Sequence, residues 1–324
     1  MQNDIFVSVK DVSRFYGITR AVNNISFEVK RGEVLGFLGP NGAGKSTTML
    51  MLTGNLAPSE GEIIINGIDM LENPKLAKAN IGFLPEAPPL YRDLTVDEYL
   101  RFCAKLHRIS QDRLTSAIDS AKQQCGLTDV GQRLIGNLSK GYQQRVGIAQ
   151  AIIHSPSVVI LDEPTVGLDP IQIREIRQLI RELGGEHSVI LSSHILPEIQ
   201  TTCDRVQIIN RGELVLSDTV ERLDHYMHES CVTVVLGNPP SATDLEAVEG
   251  VTSVEVLDDN RFKCYFEPKG QSPAEAIVEM SVQQQWRLTE LTPDKRSLEQ
   301  IFVDITTSEK SSDETTRSSK DQAA

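Results

Sequence analysis

Along residues 1–224, apolar positions fall into short β-branched runs separated by longer stretches with helical spacing. The strand-sized runs are Ile5–Val9, Ile25–Val29, Val34–Leu38, Glu62–Ile65, Ile81–Leu84, Val158–Leu161, Ser188–Leu191 and Val206–Ile209. Their alternation with helical stretches predicts an α/β domain with a substantially parallel sheet. Between Leu94 and His154 no strand run appears. There Thr95-Val96-Asp97-Glu98 reads as a capping box, and Val96, Tyr99, Leu100, Cys103 and Leu106 recur at helical spacing. A helical subdomain over about residues 87–154 is therefore expected within the sheet domain.

After the charged, Gly-marked stretch from Arg211 to Asp224 the pattern changes again. Residues 225–229 read as a linker. Strands are expected at Val232–Leu236, Val251–Leu257, Arg261–Glu267 and Trp286–Leu291, with helices near Asp244–Val248, after Ser272-Pro273-Ala274-Glu275 (a capping box with proline at the first helical position) and from Ser297. That β-α-β-β-α-β order suggests a small ferredoxin-like α+β domain over 230–305. Residues 306–324 are rich in Ser and Thr, mixed in charge and without apolar periodicity, and read as a disordered tail.

Composition narrows the class. With 324 residues, 40% of them hydrophobic and 24% charged, the chain has the profile of a soluble globular protein long enough for two domains. No run approaches the roughly 18 apolar residues of a spanning helix, and Met1–Phe6 lacks the basic and apolar segments of a secretory signal. A cytoplasmic protein is expected, touching a membrane only through a partner. Five scattered cysteines without a C-x-x-C pair argue against a metal or disulfide framework. The net charge of −13 disfavours general nucleic-acid binding.

Candidate chemistry is concentrated at strand ends. Gly39-Pro40-Asn41-Gly42-Ala43-Gly44-Lys45-Ser46-Thr47 matches G-x-x-x-x-G-K-[ST] between a strand run and a helical run. Such a loop turns backbone N–H groups toward phosphate oxygens and adds the positive end of the following helix, with Lys45 reaching the terminal phosphates and Ser46 a Mg²⁺ ion. Val158–Leu161 ends in Asp162-Glu163. A buried parallel strand would carry Asp162 to the ligand-binding edge of the sheet, where it can hold Mg²⁺ through water and Glu163 can polarise an attacking water.

Leu138-Ser139-Lys140-Gly141-Tyr142-Gln143-Gln144-Arg145 stands directly before a helical run. It resembles the L-S-G-G-Q-Q-Q-R signature of the ABC (ATP-binding cassette) ATPases, and the resemblance covers residues 5 to about 222. In order come Tyr16, the phosphate loop, Pro85-Glu86, the signature, Asp162-Glu163, Gly167-Leu168-Asp169 and His194. Taken singly, Tyr16 reads as a core aromatic, Asp169 as a helix N-cap and His194 as a strand-end histidine; taken together they read as the family's motifs. The signature rules against a kinase or GTPase; against the alternative, a soluble member acting on nucleic acid or the ribosome, stand the single phosphate loop, where such translation factors carry two cassettes, and the lack of the long coiled-coil or zinc-finger insertions of the repair enzymes.

The resemblance implies a P-loop NTPase of the ABC-ATPase fold that hydrolyses ATP with Mg²⁺. It implies Tyr16 on adenine, Lys45, Glu163 and His194 as catalytic residues, and Ser46, Asp162 and Glu86 around the metal. Two copies are expected to join head to tail, a homodimer, so that Ser139 and Gly141 of one copy face the γ-phosphate bound by the other, with Asp169 also at the nucleotide. The partner would be a membrane permease, and the location the cytoplasmic face of the cell membrane. This sequence departs from the pattern at Lys140 and Tyr142, which replace a glycine and a glutamine, and at Glu86, which replaces a glutamine. Leu84-Pro85-Glu86, the signature variant and Ser297–Phe302 together resemble cassettes of multidrug exporters, gliding-motility systems and nitrous-oxide-reductase maturation, which lean toward export.

Overall fold

The computed structural model describes residues 4–267 and 272–295. It divides the chain into two compact units, Met1–Val220 and Glu221–Ala324.

In the first unit the elements are β1 (Ile5–Tyr16), β2 (Thr19–Lys30), β3 (Val34–Leu38), α1 (Lys45–Leu52), β4 (Glu60–Ile65), β5 (Ile68–Asp69), α2 (Pro74–Lys78) and β6 (Ile81–Leu84). There follow α3 (Val96–Leu106), α4 (Leu114–Gln124), α5 (Lys140–Ile152), β7 (Val158–Asp162), α6 (Pro170–Gly184), β8 (Ser188–Ser193), α7 (Leu196–Thr202), β9 (Arg205–Asn210) and β10 (Glu213–Thr219). Two sheets form. One is antiparallel, in the order β2-β1-β4-β5; the other runs β10-β9-β3-β8-β7-β6 and is parallel except for the β9–β10 pair.

The sequence pattern explains the division. Every residue of β3, β7 and β8 is buried, as central parallel strands covered on both faces require. From Ile25 to Lys30, by contrast, β2 alternates buried and exposed positions, the mark of a strand with one wet face. Helix α1 places Met49, Met51 and Leu52 in a core shared with Val7, Val9, Ile25 and Phe27 of the antiparallel sheet and Phe37, Ile160 and Ile190 of the parallel one. Its first residue, Lys45, thereby comes to lie at the parallel sheet's edge.

The segment from α3 to α5 is helical, as the pattern predicts. Thr95 and Glu98 make the reciprocal capping box of α3, which buries Val96, Tyr99, Leu100 and Cys103. Two stretches between residues 211 and 229 differ from expectation. The stretch after Arg211 contains the edge strand β10, none of whose residues is fully buried and whose apolar run is only Leu214-Val215-Leu216. Residues 225–229, expected as a linker, fall on the end of α8 (Val220–Met227) and the start of β11 (His228–Leu236), which follow one another directly.

The second unit continues with α9 (Ala242–Glu246), β12 (Ser253–Asp258), β13 (Arg261–Tyr265), α10 (Ala274–Gln283) and β14 (Leu288–Lys295). Its antiparallel sheet has the order β12-β13-β11-β14, and Val232, Val234, Leu245, Phe262, Ile277 and Trp286 form its core. Ser241 and Asp244 make the capping box of α9. The box expected at Ser272 does not form: Pro273 is the N-cap of α10, and Ser272 only accepts from the Ala274 N–H at 3.4 Å. The helix expected from Ser297 and the tail over 306–324 lie outside the described residues.

At the junction of the helical segment with the sheet, His107 and His154 stack with ring centroids 3.8 Å apart, and His154 Nε2 lies 3.0 Å from the Ile81 carbonyl. Burial first, then the His107 ring, pushes the His154 pKa down to about 4; burial lowers that of His107 as well. The unfolded imidazole takes up a proton near pH 6.5 and the folded one only near 4, so the unfolded state binds more protons across that window. The contribution of this imidazole to stability is therefore full above pH 6.5 and is lost toward pH 4. His154 contributes about 2 kcal/mol of that loss by pH 5. Urea unfolding at pH 7 and pH 5 is expected to show a smaller pH difference in His154→Gln than in wild type; an unchanged difference would contradict the assignment.

Candidate functional site

Three neighbouring strands deliver the site. The registers of β8 with β3 and β7 pair Leu38 with Ser193 and Asp162 with Ser192, so the strands end together. The Gly39 N–H then donates to the Ser193 carbonyl at 3.3 Å, tying the loop after β3 to the end of β8.

That loop turns through Gly42 at φ 78° and Gly44 at φ 109°, conformations that an L side chain resists. A Cβ on Gly44 would also stand 2.7 Å from the Ala21 carbonyl. The turn aims α1 so that Lys45 is buried, with Nζ donating to the carbonyls of Gly39 at 2.8 Å and Pro40 at 3.2 Å. The same ammonium stands 3.3 Å from Glu163 Oε1.

At the end of β7, one hydroxyl arranges two carboxylates. Ser192 Oγ donates to Asp162 Oδ1 at 2.5 Å and accepts from the Glu163 N–H at 2.9 Å. Ser46 Oγ donates to the same Asp162 oxygen at 3.4 Å. Glu163 has left-handed backbone, φ 48°, which turns its side chain out of the strand's alternation. Its Oε2 is 2.9 Å from His194 Nδ1, so the carboxylate is held between an ammonium and an imidazole.

Lys45, Glu163 and His194 open into one cavity of about 340 Å³ lined also by Asn41, Gly42, Gly44, Ser46, Thr47 and Glu86, with Ala21 and Val166 as its apolar wall; Asp162 and Ser192 stand behind this lining. Loop amides, a buried ammonium, a hydroxyl and a carboxylate on one concavity suit a polyphosphate, and the Ser46 and Asp162 oxygens suit a hard cation. Among the described residues no group of three or more His, Cys, Asp or Glu side chains could by itself hold a metal ion. The donor set therefore fits a cation that shares phosphate and water oxygens, as Mg²⁺ does.

Tyr16, Ser139, Gly141 and Asp169 do not line this cavity. Tyr16 ends β1 half exposed, with the Arg14 guanidinium 4.9 Å from its ring centroid. Ser139 caps α5 by accepting from the Tyr142 N–H, and a Cβ on Gly141 would strike the Gln172 side chain. Asp169 caps α6, accepting from the N–H groups of Ile171 at 3.0 Å and Gln172 at 2.9 Å. Ser192, which organises both carboxylates, has no role in the motif reading. Its only sequence signal is a pair of serines closing a buried apolar run.

The cavity and the strand order frame the comparison with known proteins. The ABC transporter family model matches residues 22–166. The bacitracin transport ATP-binding protein BcrA of Bacillus licheniformis is 42% identical over 211 residues, covering 64% of this chain and 68% of BcrA. The uncharacterized ABC transporter ATP-binding protein YhcH of Bacillus subtilis is 34% identical over 303 residues, covering 93% of this chain and 95% of YhcH. Among solved structures, cbiO1 from Clostridium perfringens, part of the ABC transporter complex cbiONQ, superposes with a TM-score of 0.64 at 29% identity, covering 68% of this chain and 91% of cbiO1. The ATP-binding cassette MJ0796, solved as a dimer in a post-hydrolysis state with ADP and Pi, superposes with a TM-score of 0.59 at 26% identity, covering 66% of this chain and 98% of the cassette. With the phosphate loop, the acidic strand end and the signature on one such fold, the chain belongs to the ATP-binding proteins of the ABC transporter family.

Proposed function

We propose that this chain hydrolyses ATP at the β3-β8-β7 edge and, as one of two cassettes in a dimer, drives a separate membrane permease from the cytoplasmic face, in the export direction. One observation carries the catalytic part: the Glu163 carboxylate is buried at the cavity wall, held between Lys45 and His194 at 3.3 and 2.9 Å.

In this reading the loop amides and Lys45 bind the β- and γ-phosphates, and Ser46 and Asp162, with Glu86 at the rim, hold Mg²⁺. When bound, the ion withdraws charge from the phosphate oxygens. Glu163 orients the water that attacks the γ-phosphorus and accepts its proton, while His194 holds the carboxylate in line. Tyr16 stacks on the adenine. Ser139 and Gly141 carry the N-terminal end of α5, and because they lie outside their own chain's cavity they serve that of the second copy, with Asp169 at the same junction. Each cavity is thus closed by its partner, and hydrolysis loosens the pair. That motion is what a permease can use.

Export rests on the lean of the motif variants and on similarity to a protein named for bacitracin transport. The second unit, with its own core, is read as an accessory domain outside the ATPase chemistry.

Glu163→Gln is expected to bind ATP with near-normal affinity but hydrolyse it at least about a hundredfold more slowly, and to accumulate as a nucleotide-bound dimer on size exclusion. Near-normal turnover would remove Glu163 from the role. Glu86→Gln is expected to keep Mg-ATP binding within about threefold, since one oxygen ligand is retained and a charge near phosphate is removed. A collapse of Mg²⁺ affinity in titrations would show the carboxylate itself to be required.

A further inference from the structure

Behind the cavity lies a buried carboxylate that none of the motifs includes. Glu198, on α7, is 2% exposed. A single oxygen, Oε2, accepts from the Thr165 hydroxyl at 2.7 Å and from the Ser193 hydroxyl at 2.9 Å. The other oxygen, Oε1, faces Arg177 Nη2 of α6 at 3.4 Å.

Each of the two hydroxyls belongs to a segment that carries one member of the Glu163–His194 pair. Thr165 is two residues beyond Glu163, in a turn closed by the Val166 N–H donating to the Glu163 carbonyl. Ser193 immediately precedes His194, and its Oγ also accepts from the Ile195 N–H at 3.0 Å, so His194 is flanked by one hydrogen-bonded turn. Because both hydroxyls end on the same atom, Glu198 bridges the two segments beyond the end of the β7–β8 pairing. A carboxylate has no reason to be buried here unless paired, and it is paired with those segments and with Arg177.

We infer that Glu198 is a positioning residue for hydrolysis: through Thr165 and Ser193 it fixes His194 against Glu163, and thereby the carboxylate that addresses the attacking water. Glu198 does not line the cavity, so it leaves nucleotide contacts alone. The inference rests on the proposed roles of Glu163 and His194.

Steady-state ATP hydrolysis by the full chain separates positioning from general support. Glu198→Ala is expected to lower kcat about tenfold or more with KM for ATP within about threefold, as a small misplacement of a reacting group does. Glu198→Gln retains an oxygen that can accept both hydroxyls, and the Arg177 side chain, 25% exposed, can turn its guanidinium to water. This variant is expected to recover kcat to within about threefold of wild type. Thr165→Val, which removes one hydroxyl and leaves the carboxylate its other partners, is expected to fall between them and decides the matter if Glu198→Ala does not fold. Wild-type kcat in Glu198→Ala, or in Thr165→Val where that is the only folded variant, would overturn the inference. So would a Glu198→Gln no more active than Glu198→Ala, or a fall in kcat matched by an equal loss of ATP affinity. Glu163→Gln, assayed beside them, keeps the two readings apart: if it turns over normally the catalytic assignment itself fails, whereas an inactive Glu163→Gln beside a fully active Glu198→Ala removes only the role of Glu198.

Discussion

One serine hydroxyl holds the acidic strand end together. Ser192 Oγ donates to Asp162 and accepts from the backbone of Glu163, and it can do both only because β7 and β8 run parallel in a register that sets Ser192 opposite Asp162. The register follows from burial. Both strands are covered on both faces, so slippage by one residue would exchange every apolar contact on each face for another. The adjoining strand β3 ends level with them, and its loop is tied to the Ser193 carbonyl. What positions the chemistry is therefore the core of a sheet, and the polar atoms at its edge inherit that precision.

The edge concentrates charge that folding alone does not favour. Lys45, Asp162 and Glu163 are each less than a tenth exposed, and a buried ion is tolerated only when its partners are nearly complete. Here the ammonium has two carbonyls and a carboxylate, and the carboxylates have hydroxyl, imidazole and ammonium neighbours. Left-handed backbone at Glu163 adds strain, which the glycines of the loop avoid by lacking a Cβ. Such a cluster is suited to an anionic ligand that brings its own charge and replaces intramolecular contacts with phosphate contacts.

Much of this was legible in the sequence because it depends on local chemistry. The phosphate loop is fixed by glycines that alone accept its dihedral angles, the acidic pair by its place at the end of a fully apolar run, and the signature by its place before a helix. The α3 capping box was readable for the same reason. The edge strand β10 was not, since its short run Leu214-Val215-Leu216 sits between Gly212 and Ser217-Asp218 in a charged stretch, and the supposed linker at 225–229 is the end of α8 passing into β11. At Ser272 proline displaced the expected cap. Ser192, Thr165 and Glu198 were illegible for a different reason: a serine, a threonine and a glutamate acquire their roles from the registers that bring β7, β8 and α7 together, 29 to 33 residues apart along the chain.

The cavity of one chain is only part of a site in this account, because the exposed cap of α5 lies outside it. Mixing two inactive variants tests that directly. Lys45→Ala and Ser139→Arg homodimers each carry a defect at every site. In a mixed dimer both defects fall in one site and the other is whole. With random pairing half the dimers are mixed, and half of their sites are intact, so about a quarter of wild-type ATP hydrolysis should return on mixing, with nucleotide trapping alongside it. If subunit exchange is demonstrated and the mixture still neither traps nor hydrolyses ATP, the shared site is contradicted.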